Sequence, residues 1–313
     1  MRALSRCARM GRDLLYRGRL FLTTTVRRKT ISPRSAFQGT SDRYWYWVLA
    51  RGWQANPALR GVIPGLPSER IQQNWTGSAG DATLREGYDF YRLVRDLARK
   101  HQRDIRPDSR VLDFGCGWGR MIRFFLRDVD SPNLVGCDCY AEALEAARKE
   151  NIWCDFRLVD PMPPSPFPSA SFDVIYLYSV FSHLSEEAHL RWLTEFHRLL
   201  RPGGLLFVTT RKRDFILQCA ALRQRLDVPE HVRGSRASFA DSDASLKRYD
   251  AGAYCHSATG GGGVLDAAFY GETCIPRAYV EREWGRLFRV LEFLDDTRCP
   301  QALIVAAKPH GSP

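Results

Sequence analysis

The chain has 313 residues, 44% of them hydrophobic, which is enough to bury the core of one domain with additions. Nine scattered cysteines, an odd number without a CxxC pair, argue against a disulfide framework or a zinc site and indicate a reducing, cytoplasmic environment. The formal net charge is +11, and no run of about 18 apolar residues predicts a membrane span.

The positive charge is concentrated in a basic tail, residues 1–36. This tail contains ten Arg or Lys residues and one acid, so it carries +9 and leaves only +2 for the rest of the chain. A nearly neutral body gives little support to a groove for a polynucleotide. Three interpretations of the tail are open: a disordered or solvated extension or misassigned start, a segment in peripheral contact with an anionic membrane, and a mitochondrial presequence.

An aromatic arm is predicted over residues 37–106. Residues 41–80 are rich in Trp, Pro, Gly and Asn, a composition that predicts ordered but irregular structure. Apolar side chains recur at helical intervals within residues 84–101, which predicts an amphipathic helix. Pro107 ends this region.

Residues 107–310 alternate short apolar runs with helical patterns, which is typical of a parallel sheet with crossover helices. Strands are predicted at residues 110–114, 133–138, 152–159, 172–179 and 205–210. Helices are predicted at residues 119–127, 141–150 and 186–200.

An insertion at about residues 211–275 interrupts this alternation. It begins with a helical pattern and includes four consecutive glycines at residues 260–263, which predict a flexible loop or hinge. A helix is predicted at residues 277–284. The two strand-like runs that follow, at residues 287–294 and 301–307, are close enough in sequence to form a hairpin.

Three glycines follow the first predicted strand, in VLDFGCGWGR at residues 111–120. Their GxGxG spacing differs from the GxGxxG of dinucleotide-binding folds, and Asp113 stands directly before them. A carboxylate there would repel a pyrophosphate but suits a cationic ligand such as S-adenosylmethionine, which has an ammonium group, a sulfonium and no phosphate. The alternative is a tight turn without a ligand.

A second acid, Asp138, ends the second predicted strand in LVGCDCY. A carboxylate at that point can accept hydrogen bonds from both ribose hydroxyls, which nicotinamide and adenosyl enzymes both require. The structural alternative is an N-cap for the helix at residues 141–150.

Four motifs in this order resemble those of the class I, Rossmann-like S-adenosylmethionine-dependent methyltransferases. They are VLDFGCGWGR, LVGCDCY, FDVIYLYSVFSHL and LLRPGGLLFVTT, and the resemblance covers about residues 107–210. The resemblance implies a doubly wound α/β fold whose mostly parallel, seven-stranded sheet has an antiparallel last strand, here with the arm and an inserted lid. The chain is also similar to a bacterial subgroup associated with small molecules or glycans.

The resemblance implies cofactor-binding roles for the glycine loop. Gly115, Gly117 and Gly119 would let the backbone approach the methionyl and ribosyl parts of the cofactor. Cys116 lies between them. Asp113 would face the ammonium group, directly or through water.

The resemblance also places residues near the ribose and adenine. Asp138 would hold the ribose hydroxyls, and Cys139 with Tyr140 would lie near the adenine. Asp160 follows the third strand, where the family places a polar adenine contact, although it is equally well explained as a turn acid. Ser179 completes the predicted set of cofactor-binding residues.

Methyl transfer is a displacement at carbon, so the protein has to align the acceptor and, for a hydroxyl, take up its proton. His183 follows the fourth strand at the sheet edge where ligands bind, and it is the first candidate base. The alternative is a structural histidine that caps the next helix. His256 is the second candidate, or else an exposed histidine in a mobile loop beside a lid that covers the acceptor.

The sequence thus predicts an enzyme that methylates an oxygen or nitrogen of a small molecule or glycan precursor, without a metal. The alternatives are an inactive cofactor-binding or scaffold protein and, less favoured, an NAD-dependent oxidoreductase. A nucleic-acid acceptor is disfavoured by the nearly neutral body. YSVF also stands where base-methylating enzymes have an NPPY-like tetrapeptide.

Overall fold

The structure, a computed structural model, describes residues 31–228 and 232–311. Most of the basic tail, residues 1–30, lies outside the described residues, so the interpretations of the tail stay predictions. Within the described part, no helix is long and apolar enough to cross a membrane.

The aromatic arm is a succession of short helices, so the prediction of irregular structure for residues 41–80 is wrong. The first helix, α1 (Pro33–Phe37), contains the last residues of the basic tail. The helices that follow are α2 (Asp42–Trp47), a π-helix (Val48–Gly52), α3 (Trp53–Ala55), a 3-10 helix (Pro57–Gly61) and α4 (Glu69–Thr76). Side-chain oxygens of Ser32, Ser41 and Ser68 cap three of them. The buried Trp45 donates from Nε1 to the Phe124 carbonyl at 2.9 Å, which ties the arm to the sheet domain.

Helix α5 (Asp81–Lys100) confirms the predicted amphipathic helix and extends it by three residues at its start. Its buried positions, among them Tyr88, Tyr91, Val94 and Leu97, recur every three or four residues. They pack with the aromatic side chains of the arm into one core cluster. The helix therefore joins the arm to the sheet that follows.

The described residues contain nine strands, which are numbered in chain order. They are β1 (Val111–Phe114), β2 (Leu134–Asp138), β3 (Asp155–Leu158), β4 (Phe172–Leu177), β5 (Leu200–Thr210), β6 (Cys255–Ala258), β7 (Gly271–Cys274), β8 (Arg289–Leu294) and β9 (Ala302–Ala307).

Seven of these strands form one sheet in the order β3-β2-β1-β4-β5-β9-β8. Strands β1 to β5 pair in parallel, and β9 is antiparallel to both of its neighbours. This confirms the predicted mostly parallel sheet and its antiparallel last strand. The strand order reverses between β1 and β4, and ligands of open α/β sheets bind at such a switch point.

Helices α6 (Ala141–Glu150) and α7 (Glu186–Leu199) are the predicted crossovers. The helix predicted at residues 119–127 is instead a short 3-10 helix, Ile122–Arg127, which is a correction. All six of its residues are buried between the arm and the sheet. A segment buried on every side has no polar face from which a helical period could be recognised.

The inserted lid is more structured than its polar sequence indicates. It contains α8 (Asp214–Arg223), α9 (Arg233–Ala237) and α10 (Ser242–Asp250), followed by the antiparallel hairpin of β6 and β7. Only α8 was predicted, and the four glycines lie in the hairpin loop. Helix α11 (Arg277–Trp284) returns the chain to the sheet.

The lid is attached to the loop that follows β4. Backbone nitrogens of Gly271 and Thr273 donate to the carbonyls of His183 and Ser182 at 2.7 and 2.8 Å. At the end of β5, Arg211 also forms a parallel bridge with Cys274 of the hairpin. The hairpin is therefore held against the carboxyl ends of β4 and β5.

Candidate active site

A cavity of about 760 Å³ lies at the carboxyl ends of β1, β2 and β4, between the arm and the lid. Its volume falls in the upper part of the range of roughly 300–1,000 Å³ that is usual for ligand pockets. Of the predicted site residues, Gly119 and His256 do not line the cavity. The predicted residues that do are Asp113, Gly115, Cys116, Gly117, Asp138, Cys139, Asp160, Ser179 and His183.

The three glycines of the loop after β1 all have positive φ, of 72°, 52° and 77° along the chain. A Cβ on Gly115 would lie 2.4 Å from Val180 Cγ2, and one on Gly119 would lie 3.2 Å from Phe156 Cζ. A Cβ on Gly117 would meet no atom within 4 Å. Close packing therefore requires glycine at position 115 and disfavours any side chain at position 119. Gly117, by contrast, presents bare backbone to the cavity.

Asp138 joins the end of β2 to this loop. Its Oδ2 accepts a hydrogen bond from the Gly117 backbone nitrogen at 2.8 Å, and its Oδ1 accepts one from the Tyr140 nitrogen at 3.0 Å. Helix α6 starts after Tyr140 and has no side-chain cap, so the alternative role of Asp138 as an N-cap is wrong. Burial raises the pKa of Asp138, and the backbone hydrogen bonds oppose that rise.

Asp113 forms the buried floor of the cavity. Its Oδ2 has no hydrogen-bond partner among the described residues. Burial, with a smaller effect from the charge of Asp138, raises the pKa of Asp113 to about 7, while the neighbouring Tyr176 hydroxyl opposes the rise. A buried carboxylate with one unpaired oxygen is a position that a cationic group of a ligand would stabilise.

Ser179 adopts a strained backbone conformation, with φ of 61°, where β4 leads into the next loop. Its nitrogen donates to Thr209 Oγ1 at 2.7 Å, and its hydroxyl contacts Ser182 Oγ at 3.1 Å. The amide of Gln301 donates to the same hydroxyl at 2.8 Å. Ser179 therefore already has protein partners that fix the shape of the cavity wall.

The sequence did not reveal a three-residue group on the opposite wall. Arg120 Nη1 donates to Glu86 Oε2 at 2.7 Å, and the Tyr178 hydroxyl donates to the same carboxylate. All three side chains line the cavity. Glu86 lies on α5, 34 residues before Arg120, so no local pattern connects the two residues. The one sequence signal for this group is the position of Arg120 directly after the glycines.

Tyr140 connects the arm and the lid at the end of the cavity next to Asp138. Its ring packs edge-on against Trp75 with 4.9 Å between the ring centroids. Its hydroxyl donates to the Gly262 carbonyl in the glycine run at 2.6 Å. The glycine run therefore folds over the part of the cavity where an adenine was predicted.

His183 lies on the wall beneath the lid, with its ring stacked on Tyr270 at a centroid distance of 4.9 Å. Its Nδ1 lies 2.8 Å from the Gly271 carbonyl, which can only accept, so Nδ1 carries the hydrogen and Nε2 is left as an acceptor. Helix α7 is capped by Ser185, so the alternative role of His183 as a helix cap is wrong. Burial lowers the pKa of His183, and the charge of Glu272 opposes this effect.

His256 lies in β6, not in a mobile loop. Its Nδ1 donates to Thr273 Oγ1 at 2.8 Å, and that hydroxyl donates onward to the Leu184 carbonyl at 2.7 Å. Its Nε2 is buried without a partner among the described residues. Burial lowers the pKa of His256. Its role as a second base stays a prediction, because its side chain does not line the cavity.

Residues 111–204 match a family model described as a methyltransferase domain. The chain is 33% identical over 111 residues to a probable tRNA methyltransferase 9B of Mus musculus. This alignment covers 35% of this chain and 23% of the mouse protein. It is 25% identical over 175 residues to the 2-methyl-6-phytyl-1,4-hydroquinone methyltransferase of Synechocystis sp., covering 52% of this chain and 54% of the relative. The chain thus spans about a quarter of the first relative and about half of the second.

A solved S-adenosylmethionine-dependent methyltransferase from Mesorhizobium loti aligns with a TM-score of 0.46 and 15% identity. The alignment covers 68% of this chain and 96% of that structure. By the match over residues 111–204, the chain contains a methyltransferase domain, which implies S-adenosylmethionine as its cofactor.

The residues of the cavity fit this cofactor. Asp113 offers an ammonium group one buried carboxylate oxygen that has no partner among the described residues, and Gly117 offers bare backbone. Oδ2 of Asp138 already holds Gly117 and Oδ1 holds the Tyr140 nitrogen, and each oxygen has a further lone pair for a ribose hydroxyl. The assignments of single residues to parts of the cofactor stay predictions.

Proposed function

We propose that this protein, which contains a methyltransferase domain at residues 111–204, transfers the methyl group of S-adenosylmethionine to an oxygen or nitrogen of a small molecule or glycan precursor. One observation carries the proposal: Asp113, the loop held by Asp138, and His183 all line a single cavity. That cavity is large enough for a cofactor and an acceptor side by side.

The chain's own residues bind and orient the reactants. S-adenosylmethionine supplies an activated methyl group when it is bound. Asp113 and Asp138 hold its ammonium group and ribose, and Tyr140 with Trp75 excludes water from the adenine end. His183 Nε2 is free to take up a proton from an acceptor hydroxyl.

Several features support a small acceptor. The arm and the lid both cover the cavity, and two of its arginines are already paired, Arg120 with Glu86 and Arg211 with Glu272. Binding of a polynucleotide requires several Lys or Arg residues directed at phosphates, and the chain beyond residue 36 carries only +2. Proteins named as tRNA methyltransferases are among the relatives, so RNA is the alternative acceptor in the test.

Calorimetry of S-adenosylmethionine binding tests the cofactor site. We expect Asp138→Ala to weaken binding by roughly 10- to 100-fold, since hydrogen bonds to a charged group contribute about 1.5–3 kcal/mol. The matched control is Asp243→Ala, an exposed acid on α10, which should leave the affinity unchanged. Unchanged affinity in a folded Asp138→Ala protein would refute the ribose assignment.

The acceptor class is tested by incubating the protein with methyl-labelled S-adenosylmethionine and separated cell fractions. We expect label in the small-molecule fraction and none in purified tRNA. Label in tRNA alone would refute the small-molecule proposal and leave the methyltransferase assignment intact. No label in any fraction would favour the inactive, cofactor-binding alternative.

A further inference from the structure

The Glu272 carboxylate brings four side chains together, here called the Glu272 cluster: His183, Arg211, Ser235 and Glu272. Ser235 Oγ donates to Glu272 Oε1 at 2.9 Å, and Arg211 Nε donates to Glu272 Oε2 at 3.2 Å. The same Oε2 lies 3.6 Å from His183 Nδ1. Both oxygens of this carboxylate are therefore held by protein groups.

Each member of the cluster comes from a different element. Arg211 stands at the end of β5, Ser235 in α9 and Glu272 in β7, whereas His183 follows β4. The guanidinium of Arg211 lies 4.3 Å from the ring centroid of Phe215, which fixes it from a second direction. All four members line the same cavity as the glycine loop.

The cluster sets the state of the His183 ring. The Nδ1 hydrogen points to the Gly271 carbonyl and has the Glu272 carboxylate beside it, so the ring cannot turn without losing both interactions. When Nε2 takes up a proton, the imidazolium that forms has a carboxylate 3.6 Å away to stabilise its charge. The side chain of Glu272 is only 9% exposed, so water screens this interaction weakly.

Resting on the proposed function, we propose that Glu272 is a positioning residue that holds His183 as the base for a hydroxyl acceptor bound under the lid. The acceptor oxygen forms the new bond to the methyl carbon, and its proton moves to His183 Nε2. The electron pair of the broken carbon–sulfur bond stays on sulfur, so the sulfonium becomes a neutral thioether.

The presence of a built base favours a hydroxyl acceptor over an amine. A neutral amine already has the nucleophilic lone pair, and it can lose its proton to water after the transfer. A hydroxyl is a weak nucleophile until its proton is removed, so it gains from a base at the reacting atom. An oriented neutral imidazole backed by a carboxylate is therefore best explained by an oxygen acceptor.

Several charged or titratable groups face His183, and they act on its pKa in opposite directions. Glu272 from β7 stabilises the imidazolium, whereas Arg211 from the end of β5 and His256 from β6 oppose it. Tyr270 covers one face of the ring. Glu272→Gln should therefore lower the pKa of His183, and Arg211→Gln should raise it.

Histidine ring NMR on the full chain tests the cluster without any acceptor. His183→Gln identifies the His183 signals among the seven histidines. In the wild type we expect nitrogen shifts of a neutral ring with its hydrogen on Nδ1. In Glu272→Gln we expect the titration midpoint of His183 to fall by roughly one pH unit, as for loss of a nearby opposite charge.

The control is Glu281→Gln, which removes an exposed acid from α11 and should leave the His183 titration unchanged. If Glu272→Gln does not fold, Arg211→Gln provides the second test through its opposite shift. An Nδ1 without its hydrogen, or a His183 midpoint that moves in neither variant, would overturn the proposal.

The bond type of the labelled product tests the acceptor class. A methyl ether resists mild alkali but releases volatile methyl iodide in hot hydriodic acid, and this is the expected behaviour. Label that stays non-volatile indicates a methyl group on nitrogen or carbon and overturns the hydroxyl acceptor. Failure to bind S-adenosylmethionine would instead refute the proposed function, and the NMR comparison would still decide the contact between Glu272 and His183.

Discussion

Substitution of Gly115 by alanine should destabilise the protein through two separable effects. The first is the backbone, whose φ of 72° costs a residue with a Cβ about 1–2 kcal/mol. The second is overlap with Val180, because the new Cβ would lie 2.4 Å from its Cγ2. Overpacking of this kind costs about 1–3 kcal/mol, so the free energy of unfolding should fall by roughly 2–5 kcal/mol.

A comparison among three variants separates the two effects. Gly117→Ala has the same backbone problem, with φ of 52°, but no overlap, so it should lose only about 1–2 kcal/mol. In a Val180→Ala background the overlap is gone, and Gly115→Ala should then cost about as much as Gly117→Ala. These differences are obtained from urea unfolding curves followed by circular dichroism.

The result that would refute this reasoning is equal destabilisation by Gly115→Ala with and without Val180. That outcome would mean that the loop moves to accept the methyl group at no cost. Cofactor affinity provides an independent check, since Gly117 faces the cavity and Gly115 is covered by Val180. Gly117→Ala should weaken S-adenosylmethionine binding although it is the less destabilising variant.

Three further predictions concern protons and the tail. The pKa of Asp113 is about 7 in the free protein, and a bound ammonium group would lower this pKa, so binding of S-adenosylmethionine at pH 6 should release about one proton. Calorimetry in buffers of different ionisation enthalpy measures the number of protons released. Identical binding heats in all buffers would contradict this prediction. Burial lowers the pKa of His189 to about 3, so below pH 6.5 the unfolded chain takes up a proton that the folded chain rejects. As the pH is lowered below 6.5, His189 should therefore reduce the free energy of unfolding by about 1.4 kcal/mol per pH unit. His189→Gln should remove this contribution, so urea titrations between pH 7 and 5 should show a flatter dependence of the free energy of unfolding on pH. If the basic tail contacts anionic membranes, deleting residues 1–36 should abolish co-sedimentation with phosphatidylserine vesicles and leave the affinity for the cofactor unchanged. Equal co-sedimentation of the full-length and the shortened protein would rule out the membrane interpretation.

The sequence of strands and helices along the sheet domain could be predicted because each of these elements is marked by a pattern in its own residues. Continuous apolar runs such as FDVIYL predict buried strands, and polar helical patterns such as AEALEAARKE predict crossover helices. Asp113, Asp138 and His183 could be identified because each lies in or directly after a strand that the sequence itself marks. The carboxyl ends of parallel strands meet at one edge, so strand position alone brings such residues together.

The short helices of the arm and the later elements of the lid could not be predicted in the same way. Short helices such as Arg233–Ala237 have too few residues for a period, and they are stabilised by contacts with distant parts of the chain. Trp45, for example, packs in the same core cluster as Phe124, 79 residues away, whose carbonyl accepts its hydrogen bond. Such contacts leave no local pattern.

The residues predicted for the cofactor end of the site could be named from the sequence, since the glycines and the two acids lie in or next to the strands that place them. The surroundings of the candidate base became visible only in the folded chain. Glu272 lies 89 residues after His183, and Arg211 and Ser235 lie between them on separate elements. These residues become neighbours only when the lid hairpin pairs with the loop after β4, because hydrogen bonds between distant backbone segments depend on the fold and not on adjacent residues.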